Sequence, residues 1–251
     1  MDRPEAPAGG EPSGRGAAPL RIVLVNRHRA DVLGGSEIQC DQIAAELARR
    51  GHAVTYAVRA PRRARYETPY ACEPVPALAD LARLLERARP ELVYWRFNRA
   101  GLLAATRLAH AHDARLVLAL SHDDDTRALP RLSELWPPKR AARALIAAWN
   151  GRARAHVDGF IAQHTGQARG LPPLKTRVIH NSAFVTTTPF TWPRPYVAWV
   201  ANLKPRKRPE AFVALARALA DTGHDFLAVG ALQDRHYAWL GERARVTANF
   251  H

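Results

Sequence analysis

Short apolar runs alternate with amphipathic segments along most of the chain. The run RIVLVN at 21–26 is typical of a strand that is buried on both faces of a sheet. Between such runs, apolar residues recur at helical spacing, as at Leu78, Leu81, Leu84 and Leu85. Because parallel strands need crossover connections, the alternation predicts a doubly wound α/β fold, with a parallel sheet covered by helices on both faces.

The same pattern predicts the element boundaries of a first domain at 20–182. Its predicted strands lie at 21–26, 53–59, 92–96, 115–120, 158–163 and 176–180. Its predicted helices lie at 36–50, 77–88, 102–112 and 139–155. Ser36 is expected to cap the first helix, with Gln39 completing a capping box, and Gly51 is expected to end it.

A tail precedes this domain, and a smaller α/β unit follows it. Residues 1–19 are rich in Pro, Gly and Ala and lack an apolar core, so they are predicted to be a flexible tail and not a secretory signal. The proline-containing stretch 183–195 is predicted to be a linker. The second domain, 196–251, is predicted to hold strands at 196–202 and 225–230, helices at 209–222 and 234–245, and a last segment, VTANF. A sheet of two or three short strands leaves much of each helix face uncovered. This domain is therefore expected to be incomplete.

The charge balance favours anionic partners. Lys and Arg total 37 against 23 Asp and Glu, a formal net charge of +14. The arginines are spread over all predicted helices without a nucleic-acid-binding motif, so no nucleic acid partner is expected. The longest uncharged stretch is polar and broken by proline, which argues against a membrane span. The two cysteines form neither a disulfide framework nor a zinc spacing, in keeping with a cytoplasmic location.

The loop between the first strand and the first helix is a candidate anion site. It contains Gly34, Gly35, Ser36 and Glu37, at a helix N-terminus whose free N–H groups and dipole attract phosphate or carboxylate. The sequence is not the GxGxxG fingerprint, and two adjacent glycines also suit a turn for purely conformational reasons.

His122 follows the fourth predicted strand and Ser121, at the carboxyl edge where open α/β sheets bind ligands. Three carboxylates come next, at Asp123, Asp124 and Asp125. They suit a divalent cation held on a sugar-diphosphate, or, alternatively, an Asp-rich turn at the start of a helix.

Four cations, Lys204, Arg206, Lys207 and Arg208, crowd the corresponding loop of the second domain. A helix N-terminus with cations nearby suits phosphate, although a run of charges is also common in a solvated turn. Because the two loops occupy matching places, they could face one another across a cleft.

A further segment combines bulky apolar and basic side chains. It could rest on an anionic membrane surface or hold an acceptor, or simply be a helix that packs on the sheet. Its residues are Trp136, Lys139, Arg140, Arg143, Leu145, Ile146 and Trp149.

Taken together, the motifs resemble the retaining GT-B glycosyltransferases of family 4 (group 1). The similarity lies in the GGSE loop, the His after RLVLAL, the segments AQHTGQ and VIHNS, and VANLKPRKRPEAFVALARAL followed by DFLAVG. The resemblance implies two Rossmann-like domains, an N-terminal one for the acceptor and a C-terminal one for the nucleotide-sugar donor, with catalysis between them.

The resemblance also implies roles for individual residues. Gly34 and Gly35, with Glu37 in the same loop, would approach the donor diphosphate or the acceptor, and His122 would lie beside the transferred sugar. Lys207 matches the lysine that neutralises the diphosphate leaving group, and Asn181 matches an asparagine at the hinge end of the first domain.

The sequence departs from the family pattern at two places. Ala201 and Asn202 stand where the family usually has Gly-Arg, so Lys204 or Arg206 is expected to replace the arginine. Asn202 is expected to belong to the same donor- or acceptor-binding set. The acidic E-x7-E region has no counterpart, and the second domain is expected to need on the order of one hundred further residues.

The resemblance predicts transfer of a sugar from a nucleotide diphosphate-sugar to a hydroxyl acceptor, with retention and with neither metal nor cofactor. The acceptor could be a glycan, a lipid carrier or a small molecule, and peripheral contact with the inner face of the membrane is an open alternative. The alternative function is a truncated, inactive paralogue that binds an acceptor, a membrane or a partner.

Overall fold

The computed structural model describes residues 18–97, 101–126, 151–183, 189–232, 235–246 and 249–251. The chain divides into two compact units, one ending at Asn181 and one running from Ser182 to His251. Most of the predicted tail lies outside the described residues, and so does the aromatic and basic set at 136–149. Of the predicted helix at 139–155, only the end is described, and residues 151–156 are helical.

The first unit is built on a seven-stranded sheet in the order β3-β2-β1-β4-β5-β6-β7. Every neighbouring pair is parallel. The strands are β1 Arg21–Asn26, β2 Ala53–Val58, β3 Ala71–Pro74, β4 Leu92–Trp95, β5 Arg115–Ala119, β6 Gly159–Ala162 and β7 Thr176–Val178. The strand order reverses between β1 and β4, which in open α/β sheets is where ligands bind.

Helices cover both faces of this sheet, which confirms the predicted doubly wound architecture. The helices are α1 Gly35–Arg49, α2 Leu78–Ala88, α3 Leu102–Ala111 and the short α4 Thr165–Ala168. Successive residues of a strand point to opposite faces. Accordingly, Val23 and Val25 of β1 pack with α2 and α3, whereas Leu24 packs with α1.

Two local predictions for this unit are wrong. Strand β3 was not predicted, because it is a short edge strand without a fully buried residue. The expected cap at Ser36 is also wrong, since α1 begins at Gly35 with Gly34 as N-cap and no described side chain caps it. Ser36 lies inside the first turn, where its hydroxyl accepts a hydrogen bond from Asn26 Nδ2 at 2.9 Å.

The second unit is a smaller α/β unit, as predicted. Its parallel strands are β8 Tyr196–Val200 and β9 Asp225–Val229, and its helices are α5 Pro209–Ala218 and α6 Trp239–Val246. Phe250, near the end of the sequence, forms an isolated parallel bridge with Phe226 of β9. The predicted helix at 209–222 is shorter in the structure, because α5 ends at Ala218 and Ala220–Thr222 is a 3₁₀ turn. The predicted helix at 234–245 begins later, because Arg235–Tyr237 is a 3₁₀ turn that precedes α6. The core of the unit consists of Phe212, Val213, Ala216, Phe226, Tyr237, Leu240 and Phe250.

Candidate functional site

The loop before α1 holds a buried carboxylate. Glu37, in the first turn of α1, forms an ion pair of 3.2 Å with Arg27, which directly follows β1. A Cβ atom at Gly34 would lie 2.5 Å from Glu37 Oε2, whereas one at Gly35 would meet no atom within 4 Å. A side chain at Gly34 would therefore displace the Glu37 carboxylate, and the positive end of the α1 dipole already faces that carboxylate. The structure thus brings Gly34, Gly35 and Glu37 together.

Asn26, the last residue of β1, fixes this loop to the sheet. Its Nδ2 donates to Ser36 Oγ at 2.9 Å and lies 3.3 Å from Cys40 Sγ, while its Oδ1 accepts from the Arg27 backbone N–H at 2.9 Å. The buried amide therefore aligns the first turns of α1 with the end of β1. The sequence analysis missed Asn26, because nothing in the local sequence marks its partners.

A second polar cluster includes residues of the same loop. His28 Nε2 lies 3.2 Å from the Tyr70 hydroxyl, which in turn donates to Asp41 of α1. Asp41 also forms an ion pair of 2.8 Å with Arg29. Burial lowers the pKa of His28, despite the opposing influence of Asp41, so the ring is neutral at pH 7. Its role is to hold the loop in place.

Asn181 lies at the carboxyl edge of the sheet, within a chain of side-chain hydrogen bonds. Its Oδ1 accepts from Arg96 Nη2 at 3.0 Å, and its Nδ2 donates to Gln163 Oε1 at 3.1 Å. Gln163 Nε2 donates to the Leu120 carbonyl at 2.6 Å. Residues that follow β4, β5, β6 and β7 are thereby linked, and Arg96 and Gln163 join the candidate site although the sequence analysis did not select them.

His122 has an exposed side chain and follows β5 in a tight turn. The backbone N–H groups of Ser121 and His122 both donate to Asp125 Oδ2 at 2.9 Å. Asp123 Oδ1 lies 3.0 Å from His164 Nε2 and accepts from Gln167 Nε2 at 3.1 Å. These two carboxylates therefore organise the turn.

His164 also belongs to the candidate site, and the sequence analysis quoted it only within the segment AQHTGQ. It follows β6, and its pairing with Asp123 was not predicted because 41 positions separate the two residues. In the part of the chain that the structure describes, no three His, Cys, Asp or Glu side chains are grouped in a way that could hold a metal ion.

The basic loop of the second unit precedes α5. Lys204 begins the 3₁₀ turn Pro205–Lys207, and the exposed Lys207 lies two residues before Pro209, the first residue of α5. Both lysines therefore lie in the segment that leads into α5, whose N-cap is Arg208. The side chain of Arg206 lies outside the described residues.

Asn202 has a structural role in this unit. Its Oδ1 accepts from the Ala231 backbone N–H at 3.3 Å, which joins the ends of β8 and β9. The two segments lie so close that a Cβ atom at Gly230 would come 1.8 Å from the Ala201 carbonyl oxygen. Asn202 therefore positions the loop that carries the lysines.

The fold defines a Rossmann-like α/β protein, and the first unit carries two glycines and a helix N-terminus at the carboxyl edge of its sheet. Residues 33–183 match the family model described as Glycosyltransferase Family 4, and the chain belongs to that family. No curated protein matches the chain. No helix among the described residues is long and apolar enough to cross a membrane.

Solved structures share the fold at low sequence identity, which confirms the predicted GT-B-like fold class. The catalytic domain of starch synthase IV from Arabidopsis thaliana, bound to ADP and acarbose, is 11% identical with a TM-score of 0.61, over 93% of this chain and 74% of that chain. UDP-GlcNAc 2-epimerase from Neisseria meningitidis, bound to UDP-GlcNAc, is 12% identical with a TM-score of 0.54, over 92% and 70%. A spinosyn forosaminyltransferase is 18% identical with a TM-score of 0.51, over 83% and 66%.

Proposed function

We propose that this protein transfers a sugar from a nucleotide diphosphate-sugar to a hydroxyl acceptor, with retention of anomeric configuration and without a metal ion. The observation that carries the proposal is the match of residues 33–183 to Glycosyltransferase Family 4. That range includes the α1 loop, His122 and Asn181, which all lie at the carboxyl edge of the first sheet.

Within this proposal, the first unit binds the acceptor and the second binds the donor. Lys207, with Lys204 and Arg206 in the same loop, neutralises the charge that grows on the departing diphosphate. Cations and a helix N-terminus already in place stabilise that charge more in the transition state than in the ground state, so the step needs no metal. His122 lies beside the transferred sugar, and the α1 loop with Glu37 orients the acceptor.

Two neighbours support a nucleotide as the donor group. Starch synthase IV was solved with ADP and acarbose, and the epimerase from Neisseria meningitidis with UDP-GlcNAc. The likeness to these proteins is a likeness of fold, so a panel of donors is the test that identifies the base and the sugar.

A panel of nucleotide sugars tests the proposal on the full chain. We expect one donor to raise the unfolding temperature and, with a hydroxyl acceptor, to release nucleoside diphosphate. Lys207→Gln should reduce that release about tenfold or more, because a charged contact to the leaving group is lost. The matched control is Arg217→Gln, an exposed cation in the last turn of α5.

Three results would contradict parts of the proposal. If no donor changes the unfolding temperature or is consumed, the chain is a binding protein, as in the alternative function. Loss of transfer on adding a chelator would show a metal-dependent enzyme. A coupling constant of the anomeric proton that shows the opposite anomeric configuration in product and donor would exclude retention.

A further inference from the structure

Arg96 is a buried cation without an anionic partner among the residues that the structure describes. The residue is 5% exposed, and none of the ion pairs among the described residues involves it. Its Nε has no hydrogen-bond partner, while Nη2 donates to Asn181 Oδ1 at 3.0 Å and Nη1 lies at 3.5 Å from the Tyr94 hydroxyl. Burying a charge without an opposite charge is costly, which favours a ligand that supplies one.

Arg96 lies where the strand order of the first sheet reverses. Its backbone N–H donates to the Val25 carbonyl at 3.1 Å, which continues the pairing of β1 with β4. Tyr94 packs on the α1 side of the sheet and Trp95 on the opposite side, so alternation directs Arg96 toward α1. Burial raises the pKa of the Cys40 thiol in α1 to about 11, and the positive charge of Arg96 opposes that rise.

The guanidinium and the N-terminus of α1 therefore share one face and one edge of the sheet. The first backbone N–H groups of α1 have no partner within the helix, and the charge of Glu37 is offset by Arg27. Phosphate oxygens accept hydrogen bonds both from a guanidinium fork and from the N–H groups of a helix N-terminus. A buried arginine beside a helix of 15 residues thus suits a phosphate group.

We propose that Arg96 binds a phosphate group at this edge of the first unit, and that the acceptor carries that phosphate. The assignment to the acceptor rests on the proposed function, whereas the phosphate site itself rests only on the first unit. Arg96 then restricts the acceptor to phosphorylated molecules, such as a sugar phosphate or a phosphate-linked lipid, and selects against neutral glycans.

Inorganic phosphate is the probe for this site. The unfolding temperature of the full chain is measured in phosphate and in chloride at equal ionic strength. We expect phosphate at tens of millimolar to raise the unfolding temperature of the wild type, and to have no such effect on Arg96→Met. Without phosphate, Arg96→Met should be at least as stable as the wild type, since an unpaired buried charge is removed and the exposed Asn181 can bond to water.

Two further variants keep the test decisive. Arg115→Met is the matched control, because Arg115 lies at the start of β5, at the opposite edge of the same sheet, and should respond to phosphate as the wild type does. Arg96→Lys retains the charge without the planar fork, so it should weaken phosphate binding by about tenfold. This variant provides the test if Arg96→Met fails to fold. A wild type indifferent to phosphate, or an Arg96→Lys that binds it unchanged, would overturn the site.

Calorimetry with a nucleoside diphosphate separates the two sources of phosphate. We expect Lys207→Gln to weaken binding of UDP or ADP, and Arg96→Met to leave it unchanged. If Arg96→Met loses that binding as well, the phosphate belongs to the donor and the acceptor assignment is wrong. If no nucleotide binds while phosphate still stabilises the protein through Arg96, the proposed function fails and the phosphate site stands.

Discussion

At the scale of single residues, the candidate site depends on close contacts around α1. The two adjacent glycines are alike in sequence but differ in their surroundings. Gly34 is the N-cap and lies against the Glu37 carboxylate, whereas Gly35 is the first helical residue and has open space where a Cβ would lie. The pair therefore offers a matched test of what holds the buried carboxylate in place.

We expect Gly34→Ala to lower the free energy of unfolding by about 1 kcal/mol, because alanine is a poor N-cap and its Cβ would displace the Glu37 carboxylate from Arg27. Gly35→Ala should leave that free energy unchanged or raise it by up to about 1 kcal/mol, because alanine restricts the unfolded chain and suits a helix. Denaturant unfolding of the two variants measures the difference. Equal effects at the two positions would show that the contact with Glu37 is unimportant.

At the scale of secondary structure elements, Asp158 connects α3, β5 and β6. Its Oδ2 accepts from the Leu116 backbone N–H at 2.7 Å and lies 2.9 Å from His110 Nε2. Burial tends to raise the pKa of Asp158, but the hydrogen bonds from Leu116 and His110 outweigh burial and hold that pKa below its ordinary value. The ionised carboxylate is therefore the form that the folded state stabilises.

A carboxyl group whose pKa is lower in the folded state stabilises the protein above its ordinary pKa, and that contribution is lost as the pH falls through the folded value. We therefore expect Asp158→Asn to lower the denaturant midpoint at pH 7, and the difference from the wild type to shrink as the pH falls below the ordinary pKa of an aspartate, about 4. Glu86→Gln, at an exposed position of α2, is the control and should follow the wild type. A difference that is independent of pH would mean that the charge of Asp158 is not what stabilises these elements.

At the scale of the whole molecule, the alternation of apolar runs was sufficient to predict the fold class, because strands buried on both faces leave a continuous apolar signal. The edge strand β3 lacks that signal, since it carries Glu73 and Pro74 and is only partly buried. The site was harder to predict for a different reason. Arg96 and Asn181 are 85 positions apart and meet only because β4 and β7 end at the same edge of one sheet.

The end of the predicted linker is attached to a buried carboxylate of the second unit. Trp192 Nε1, within 183–195, donates to Asp225 Oδ2 at 2.7 Å, and Arg194 and His251 lie 3.2 and 3.8 Å from the same carboxylate. Asp225 is buried at the start of β9, so the end of this stretch is fastened to the second unit. Removing the carboxylate would leave the Trp192 N–H without its acceptor.

We expect Asp225→Ala to destabilise the second unit by about 1–3 kcal/mol, since the buried hydrogen bond from Trp192 and the ion pair with Arg194 are lost together. All these partners lie within Ser182–His251, so amide hydrogen exchange should accelerate in β8, β9 and α5 and stay unchanged in β1 to β7. Asp221→Ala, at an exposed position of the same unit, is the control. Faster exchange throughout the first sheet would show that the two units unfold as one, because a local loss at Asp225 would then lower the stability of both.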